Sequence, residues 1–498
     1  MMTRLGLGEA TFAPLPAADL ALLVAIVLPA LLGLLGAWLQ PRRLVMVLLA
    51  ALPALAAGVV LMLAYIDYGL LRWQLEWGGL FFQLRIGGPS ILLLTLTQLL
   101  GLTAALYTPG LLSRGDGYMR RMGRYLWLLM GLLLSALSLI WVAADLLMLY
   151  FALELVSLTA VAMLLLPGKT KALVAGMRYL LLALVGSLAY LLGVALVLGQ
   201  WGTLDLAKLA QVVEPGPVVW VAAALLGAGL ALKAALFPLH AWLEPVHASA
   251  WTPVSALHAA LVIKASLFIL LQLWLVLVPD ALFLSRLVGL LGVIAVVWGG
   301  LLAWRAVELK SLVAFSTVAQ LGYLMLVFPL LLDTSLPALA KTQAWEGFWL
   351  QLGGHALAKT AMFMAAGNLV LATGETTLAG LAGTSRRMPL SLLTFGVASV
   401  TLIGLPPSAG FTAKWLLLQA MLDQQLWLPI AALLTGTLLT ATYIFRVFRY
   451  SFDETAPQQQ YRPLAPGMDV LALLPALAGL GLGLFAHAPL VLLQGGGQ

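Results

Sequence analysis

Apolar runs of membrane-crossing length follow one another from residue 17 to residue 494, separated by short polar breaks, and this pattern leaves few folds open. A bilayer core offers no water to backbone N–H and C=O groups, so only helices and closed β-barrels cross it. Runs of about 20 apolar residues fit the helical alternative. Fourteen spans are expected, near 17–39, 43–65, 89–108, 124–143, 146–166, 172–199, 218–238, 252–278, 281–303, 309–332, 347–372, 389–422, 426–449 and 468–494. Composition agrees, with 63% hydrophobic and 9% charged residues, where a soluble domain carries about 25% charged. The chain reads as an all-α polytopic membrane protein. No positively charged leader with a small-residue cleavage site precedes the first run, so that run is expected to stay as an anchor.

The net charge of +7 is explained by where the charges lie. Cytoplasmic loops collect Lys and Arg. With fourteen spans, loops after odd-numbered spans hold sixteen basic residues, among them Arg42, Arg43, Arg120, Arg121, Arg386 and Arg387. Even loops and the amino terminus hold six: Arg4, Arg72, Arg85, Lys208, Arg286 and Lys341. This asymmetry predicts both termini outside the cytoplasm, as in a bacterial inner (plasma) membrane, and needs no nucleic acid. The absence of cysteine removes thiolate-ligated iron–sulfur clusters and thiol catalysis, so any redox chemistry belongs to a partner. The histidines are scattered, no carboxylate stands at ligand spacing from them, and no glycine-rich phosphate loop is present, so neither metal, cofactor nor direct ATP use is expected.

Four domains are expected: 1–123 with spans 1–3, 124–278 with spans 4–8, 281–449 with spans 9–13, and 450–498 with span 14. Between spans two and three, Arg72 to Ile86 alternates aromatic and polar residues around Gly78-Gly79, which reads as an outer-face β-hairpin. Spans seven and twelve carry proline beside a lysine: Lys233 precedes Pro238, and Pro406-Pro407 precede Lys414. Proline removes a hydrogen-bond donor and clashes with the preceding turn, so both helices should break at membrane depth. Paired breaks in two halves of a chain point to transporter repeats.

Lys233, Lys264, Lys359 and Lys414 lie inside apolar runs, and Glu154 is the sole carboxylate expected deep in one. A charge at the bilayer centre costs roughly 2.5–3.5 kcal/mol on insertion scales, so such residues mark ion or proton routes. One lysine near a helix end is as readily explained by snorkelling to the headgroups; four with a glutamate are not. A Glu154–Lys233 pair that can separate would act as a switch, because desolvation and a carboxylate move a lysine's proton affinity in opposite directions. His258 and Lys264 share span eight. His355 and Lys359 share one face of span eleven, within reach directly or through one water. Ser255, Ser316, Thr317, Gln320 and Tyr323 would complete the wires, although hydroxyls in membrane helices often only satisfy backbone carbonyls. His240 and His247 lie near a span end, where an interfacial histidine is the plainer reading; His240 is retained as a candidate relay. His487 reads as structural. Glu308 and Lys310, at the start of span ten, are an interfacial pair or a proton inlet.

Leu230 to Leu270 (LALKAALFPLHAWLEPVHASAWTPVSALHAALVIKASLFIL) resembles the core signature of the antiporter-like membrane subunits of respiratory complex I, membrane-bound hydrogenases and Mrp-type cation/proton antiporters. Glu154 in LELVSL, Glu308 to Tyr323, His355 to Phe363 and Gly404 to Gln419 extend the likeness over most of 145–420. The resemblance implies fourteen helices with two inverted five-helix repeats, and proton translocation within a hetero-oligomeric complex that also handles Na⁺ or K⁺ in some members. It implies Glu154 and Lys233 as the ion pair of one half-channel, Lys264 as the central relay, Lys414 as the terminal lysine of the other, and His258, His355 and Lys359 between them. The PVSALHAALVIKA run and Lys414 look most like Mrp D-type subunits. A complex I-like or hydrogenase proton-channel subunit, a proton-coupled inorganic-carbon uptake subunit and a stand-alone secondary transporter are the alternatives. Three places depart from the family: Gly87-Gly88-Pro89 lacks an aspartate-glycine pair, Leu243-Glu244-Pro245 replaces a leucine-proline beginning, and Trp251 replaces a small residue. The last two are not expected to touch a proposed proton group. The end soon after span fourteen, without a long lateral helix, implies a short-form member.

Overall fold

The computed structural model describes residues 16–38, 43–77, 80–278, 282–333, 335–453 and 461–494. Gly78 and Gly79 of the expected turn, and Arg4 and Arg42 of the charge count, lie outside the described residues. Helices α1 (Pro16–Trp38) and α2 (Arg43–Tyr68) precede the hairpin of β1 (Leu71–Trp77) and β2 (Leu80–Ile86), and α3 (Gly88–Arg114) follows it. Next come α4 (Gly117–Val142), α5 (Leu146–Leu165), α6 (Thr170–Trp201), the short α7 (Leu206–Val212), α8 (Pro217–Lys233) and α9 (Leu243–Ser249). A single rod contains α10 (Thr252–Leu257), a π-helical turn over His258–Val262, and α11 (Ile263–Leu277). The second half holds α12 (Leu282–Arg305), α13 (Leu309–Met325), α14 (Val327–Leu332), α15 (Ala338–Thr373) and the one-turn α16 (Thr384–Arg387). It continues with α17 (Pro389–Ile403), α18 (Ala409–Leu422), α19 (Trp427–Ser451), α20 (Met468–Leu484) and α21 (His487–Gln494).

Among the described residues, ten helical stretches are long and apolar enough to cross a membrane, and α20 with α21, bent by 70°, makes an eleventh. The other expected spans are met by shorter apolar helices: Ala54–Tyr68 within α2, α8 and α17. α8 and α17 are short because the chain leaves the helix just before Pro238 and Pro406, where a ring without an N–H cannot continue the ladder. Four helix starts are set by side chains that accept free first-turn N–H groups. Asp145 accepts from Leu147 and Met148, Asp116 from Met119, Asp205 from Ala207, and Ser408 from Phe411.

Small residues let the helices approach closely, as membrane interfaces require. Where α6 crosses α8, a Cβ on Gly229 would lie 2.4 Å from the Gly186 carbonyl oxygen, so neither helix tolerates a side chain there. That crossing sets Ser187 of α6 against the end of α8.

The hairpin pairs antiparallel with Leu71 opposite Ile86 and Arg72 opposite Arg85. Arg85, counted above as an outer-loop cation, is 5% exposed and donates to Gln272 Oε1 of α11 at 2.9 Å. Burial pushes its guanidinium down to about 10, Arg72 adds to that effect and Asp205 opposes it. The contact pins the hairpin to the rod. Arg85→Leu is therefore expected to lower stability by about 1–3 kcal/mol, seen as a lower unfolding temperature in detergent. The double variant Arg85→Leu/Gln272→Leu should lose less than the sum of the two single variants.

Candidate functional site

In the first half, α8 ends at Lys233, and Ala235 takes φ +53°, turning the backbone out of the helix. The exposed peptide groups find partners inside the protein. The Leu236 amide donates to Ala231 O at 2.9 Å, and Trp242 Nε1 donates to Leu232 O at 2.9 Å. With the helix stopped there, Lys233 reaches α5. Its Nζ donates to Glu154 Oε1 at 3.0 Å and to Ser157 Oγ at 2.8 Å. Ser187 of α6 donates to the same Glu154 oxygen. The lysine side chain is 3% exposed and the glutamate 21%, so the pair is desolvated mainly on the lysine side.

The centre is built from α9, the rod and α15. Each π-helical turn displaces backbone carbonyls from the α-helical ladder, and Lys264 Nζ donates to one of them, Ala259 O. Inside the same turn, the His258 ring lies 5.2 Å from His247, 5.4 Å from Tyr179 and 5.5 Å from Trp242. His247, read above as interfacial, is fully buried and stacks on Phe363 of α15 at 4.9 Å. The correction follows from the break: α9 folds back into the bundle and carries His247 with it. Ser255 donates to the His247 carbonyl at 3.1 Å. His240 instead stacks on Phe237 within the break, at 5.5 Å.

In the second half, Lys359 is fully buried and donates to Val313 O of α13 at 2.6 Å and to Ser316 Oγ. His355 lies one turn away on α15. Thr317 donates to Val313 O at 3.3 Å. Gln351 Nε2 donates to Gln320 Oε1 at 2.8 Å, and Gln320 Nε2 to Leu402 O at 3.2 Å, which leads to the second break. Lys414 donates to Leu402 O at 3.0 Å, Ile403 O at 2.9 Å and Thr437 Oγ1 at 3.3 Å, and lies 4.5 Å from the Tyr323 ring centroid. Those carbonyls are at the open end of α17, where a helix presents unpaired acceptors and partial negative charge. The two halves thus hold their lysines differently: Lys233 on a carboxylate, Lys414 on a helix carboxyl end.

The ring nitrogens of His247, His258 and His355 have no protein partner. Buried polar atoms of this kind take their hydrogen bonds from water. The structure therefore gathers Glu154, Lys233, His258, Lys264, His355, Lys359 and Lys414 in one buried polar belt, with Ser255, Ser316, Thr317, Gln320 and Tyr323 along it. It leaves His240 to one side. Lys310 does not use Glu308 as its acceptor; it donates to Ala250 O at 2.8 Å, while the Glu308 backbone bridges Thr377. Among the described residues no cluster of three or more His, Asp or Glu could hold a metal.

Sequence reasoning missed three features. His247 gave no signal because the fold of the break was unknown. Glu346 is a second carboxylate inside a span, because α15 begins at Ala338 rather than at 347; it is 7% exposed and accepts from Gln494 Nε2 at 2.5 Å. Asp469, in the first turn of α20, accepts from Ser391 and, at 3.1 Å, from Asn368, whose Oδ1 accepts from Tyr107 at 2.7 Å. This second cluster ties α3, α15, α17 and α20 together.

Fold and site together define a multi-pass membrane protein whose interior is crossed by ionisable groups between two broken helices. The chain belongs to the NADH:quinone oxidoreductase/Mrp antiporter transmembrane family, which it matches over residues 143–440. It is 33% identical over 439 residues to NADH-quinone oxidoreductase subunit N of Desulforudis audaxviator, covering 84% of each chain. A chain of respiratory complex I from Thermus thermophilus superposes with TM-score 0.72 at 28% identity, over 95% of this chain and 98% of that one. A chain of the Mrp complex from a Dietzia species superposes with TM-score 0.83 at 22% identity, over 95% and 96%, a likeness of fold alone.

Removing one partner of a buried ion pair costs about 3–5 kcal/mol, because the other charge stays behind. Glu154→Gln should fall toward the low end of that range, since the carboxylate is 21% exposed. Thermal unfolding in detergent should show this loss. Glu154→Gln combined with Lys233→Gln should recover part of it.

Proposed function

We propose that the chain translocates protons as an antiporter-like subunit of a multisubunit membrane complex of the complex I type. Glu154, Lys233, Lys264, His258, His355, Lys359 and Lys414 carry the proton, with Ser255, Ser316, Thr317, Gln320 and Tyr323 supporting the wires. The observation that supports the reading is the set of buried lysines and histidines held at both helix breaks and between them, with Glu154 paired to Lys233, in a protein interior where each charge is costly. A neutral lysine accepts a proton and a charged one repels the next, so adjacent lysines exchange protons in steps when the carboxylate pair opens or closes. The two halves, 124–278 and 281–449, each supply one broken helix, with the Glu154–Lys233 ion pair in the first and the terminal lysine, Lys414, in the second. Both termini would face away from the cytoplasm of a bacterial inner membrane.

The likeness to subunit N favours a redox-driven partner complex over an Mrp D-type role. The Mrp reading, with exchange against Na⁺ or K⁺, is kept as a second one because the matched family takes in Mrp antiporters as well as the oxidoreductases. In either case electron carriers, where there are any, sit on other subunits.

Purification of the native complex in mild detergent, with its subunits identified by mass spectrometry, separates these readings. Flavin or iron–sulfur subunits are expected; small membrane subunits alone would favour cation/proton exchange, and recovery of the chain by itself would overturn membership of a complex. In proteoliposomes of that complex, Lys233→Ala is expected to slow proton translocation by roughly tenfold or more. Translocation at the unaltered rate would sink the relay.

A further inference from the structure

Glu244, one of the positions where the chain departs from the resembling subunits, lies in the first turn of α9 beside the second feature of that end of the bundle, the start of α13. Its Oε1 accepts from Ser311 Oγ at 2.5 Å. The neighbouring Lys310 reaches past it to the carbonyl of Ala250, at the other end of α9, at 2.8 Å. Two adjacent residues of α13 therefore hold both ends of α9, and between those ends sits His247. Glu244 and His247 are three residues apart, which puts them on one helical face with about 5–6 Å between their Cβ atoms. One is a partly exposed carboxylate, the other a fully buried imidazole with both nitrogens free of protein partners. His258 is 5.2 Å further in, on the π-helical turn whose Ala259 carbonyl receives Lys264.

We propose that Glu244 is the proton-loading carboxylate of this axis, taking a proton from water at the end of the bundle that carries Arg305 and Lys310 and delivering it to His247. The step rests on the reading of the axis as a proton route. The protonated carboxyl gives its proton to one ring nitrogen of His247, directly or through one water, and the imidazolium releases the proton on its other nitrogen toward His258. Each transfer returns the donor to its starting charge, so one proton advances and nothing else is consumed. A carboxylate suits this end because Arg305, Lys310, Arg386 and Arg387 outnumber Glu308 and Glu375 there, and the resulting positive field disfavours the approach of a hydrated proton. Glu154 does not serve here, since Lys233 and Ser187 already donate to its carboxylate.

The test is proton translocation by the whole complex in proteoliposomes, read with a lumenal pH dye, for Glu244→Gln, Glu244→Asp, Ser311→Ala and, as reference, Lys264→Ala. Glutamine keeps the size of the side chain and still accepts the Ser311 hydrogen bond, so it removes titration alone. The expected result is a roughly tenfold slower rate for Glu244→Gln, with most of the rate retained by Glu244→Asp and Ser311→Ala. A Glu244→Gln complex that works at the unaltered rate, while Lys264→Ala does not, would overturn the loading role and leave the axis standing. An equal fall in all three Glu244 and Ser311 variants would make the contact a structural strap and would also overturn it. If Lys264→Ala is without effect, the proton-route reading itself fails.

Discussion

Every peptide group freed by a broken helix has to be satisfied inside the protein, because lipid offers nothing to bind. The remainder of the site is organised by that requirement. At the first break Trp242 closes on the Leu232 carbonyl and Leu236 folds back to Ala231. At the second, Leu402 and Ile403 are left with open carbonyls, and Lys414 fills both. The same lysine that would serve as a proton carrier therefore also holds the helix end in place. When neutral, an amine donates fewer hydrogen bonds and loses its attraction to the helix carboxyl end. Charge state and the geometry of the break are thus linked at this position by a direct contact.

Lys233 answers the same constraint in another way. Its helix also stops beside it, but its nitrogen turns to Glu154 and Ser157 on α5 rather than to carbonyls of its own span. The carboxylate faces this lysine with a full opposite charge where a helix end faces Lys414 with a partial one, and the close crossing at Gly186 and Gly229 keeps α6 near enough for Ser187 to join it.

The sequence made the anomalies legible and the packing illegible. Lys233, Lys264, Lys359, Lys414, Pro238 and Pro406 stand out because each is costly in an apolar run, so a pattern of hydropathy alone exposes them. His247 did not stand out, because its burial depends on α9 turning back into the bundle, a tertiary event that no periodicity encodes. Glu346 escaped for a related reason. Lys341, Gln343 and Glu346 interrupt the apolar pattern and moved the apparent start of the span to 347, yet the helix runs through them, and Gln494 from the far end of the chain supplies the partner. Arg85 reads as a loop cation for the same reason: its partner, Gln272, is 187 residues away. Residues whose role rests on distant partners are silent in one sequence.

α15 joins the two halves, which each have their own break. It is a single helix of 36 residues and packs against α10 and the π-helical turn on one side and against α13, α17 and α18 on the other. Phe363 meets His247 of the first half, Lys359 binds Val313 and Ser316 of the second, and Gln351 reaches the Gln320 side chain that leads to Leu402. The helix runs without an internal proline, and the groups it carries are spaced along its axis by about 1.5 Å per residue. It stands between the two breaks, where Lys233 and Lys414 make their contacts to α5 and to the end of α17.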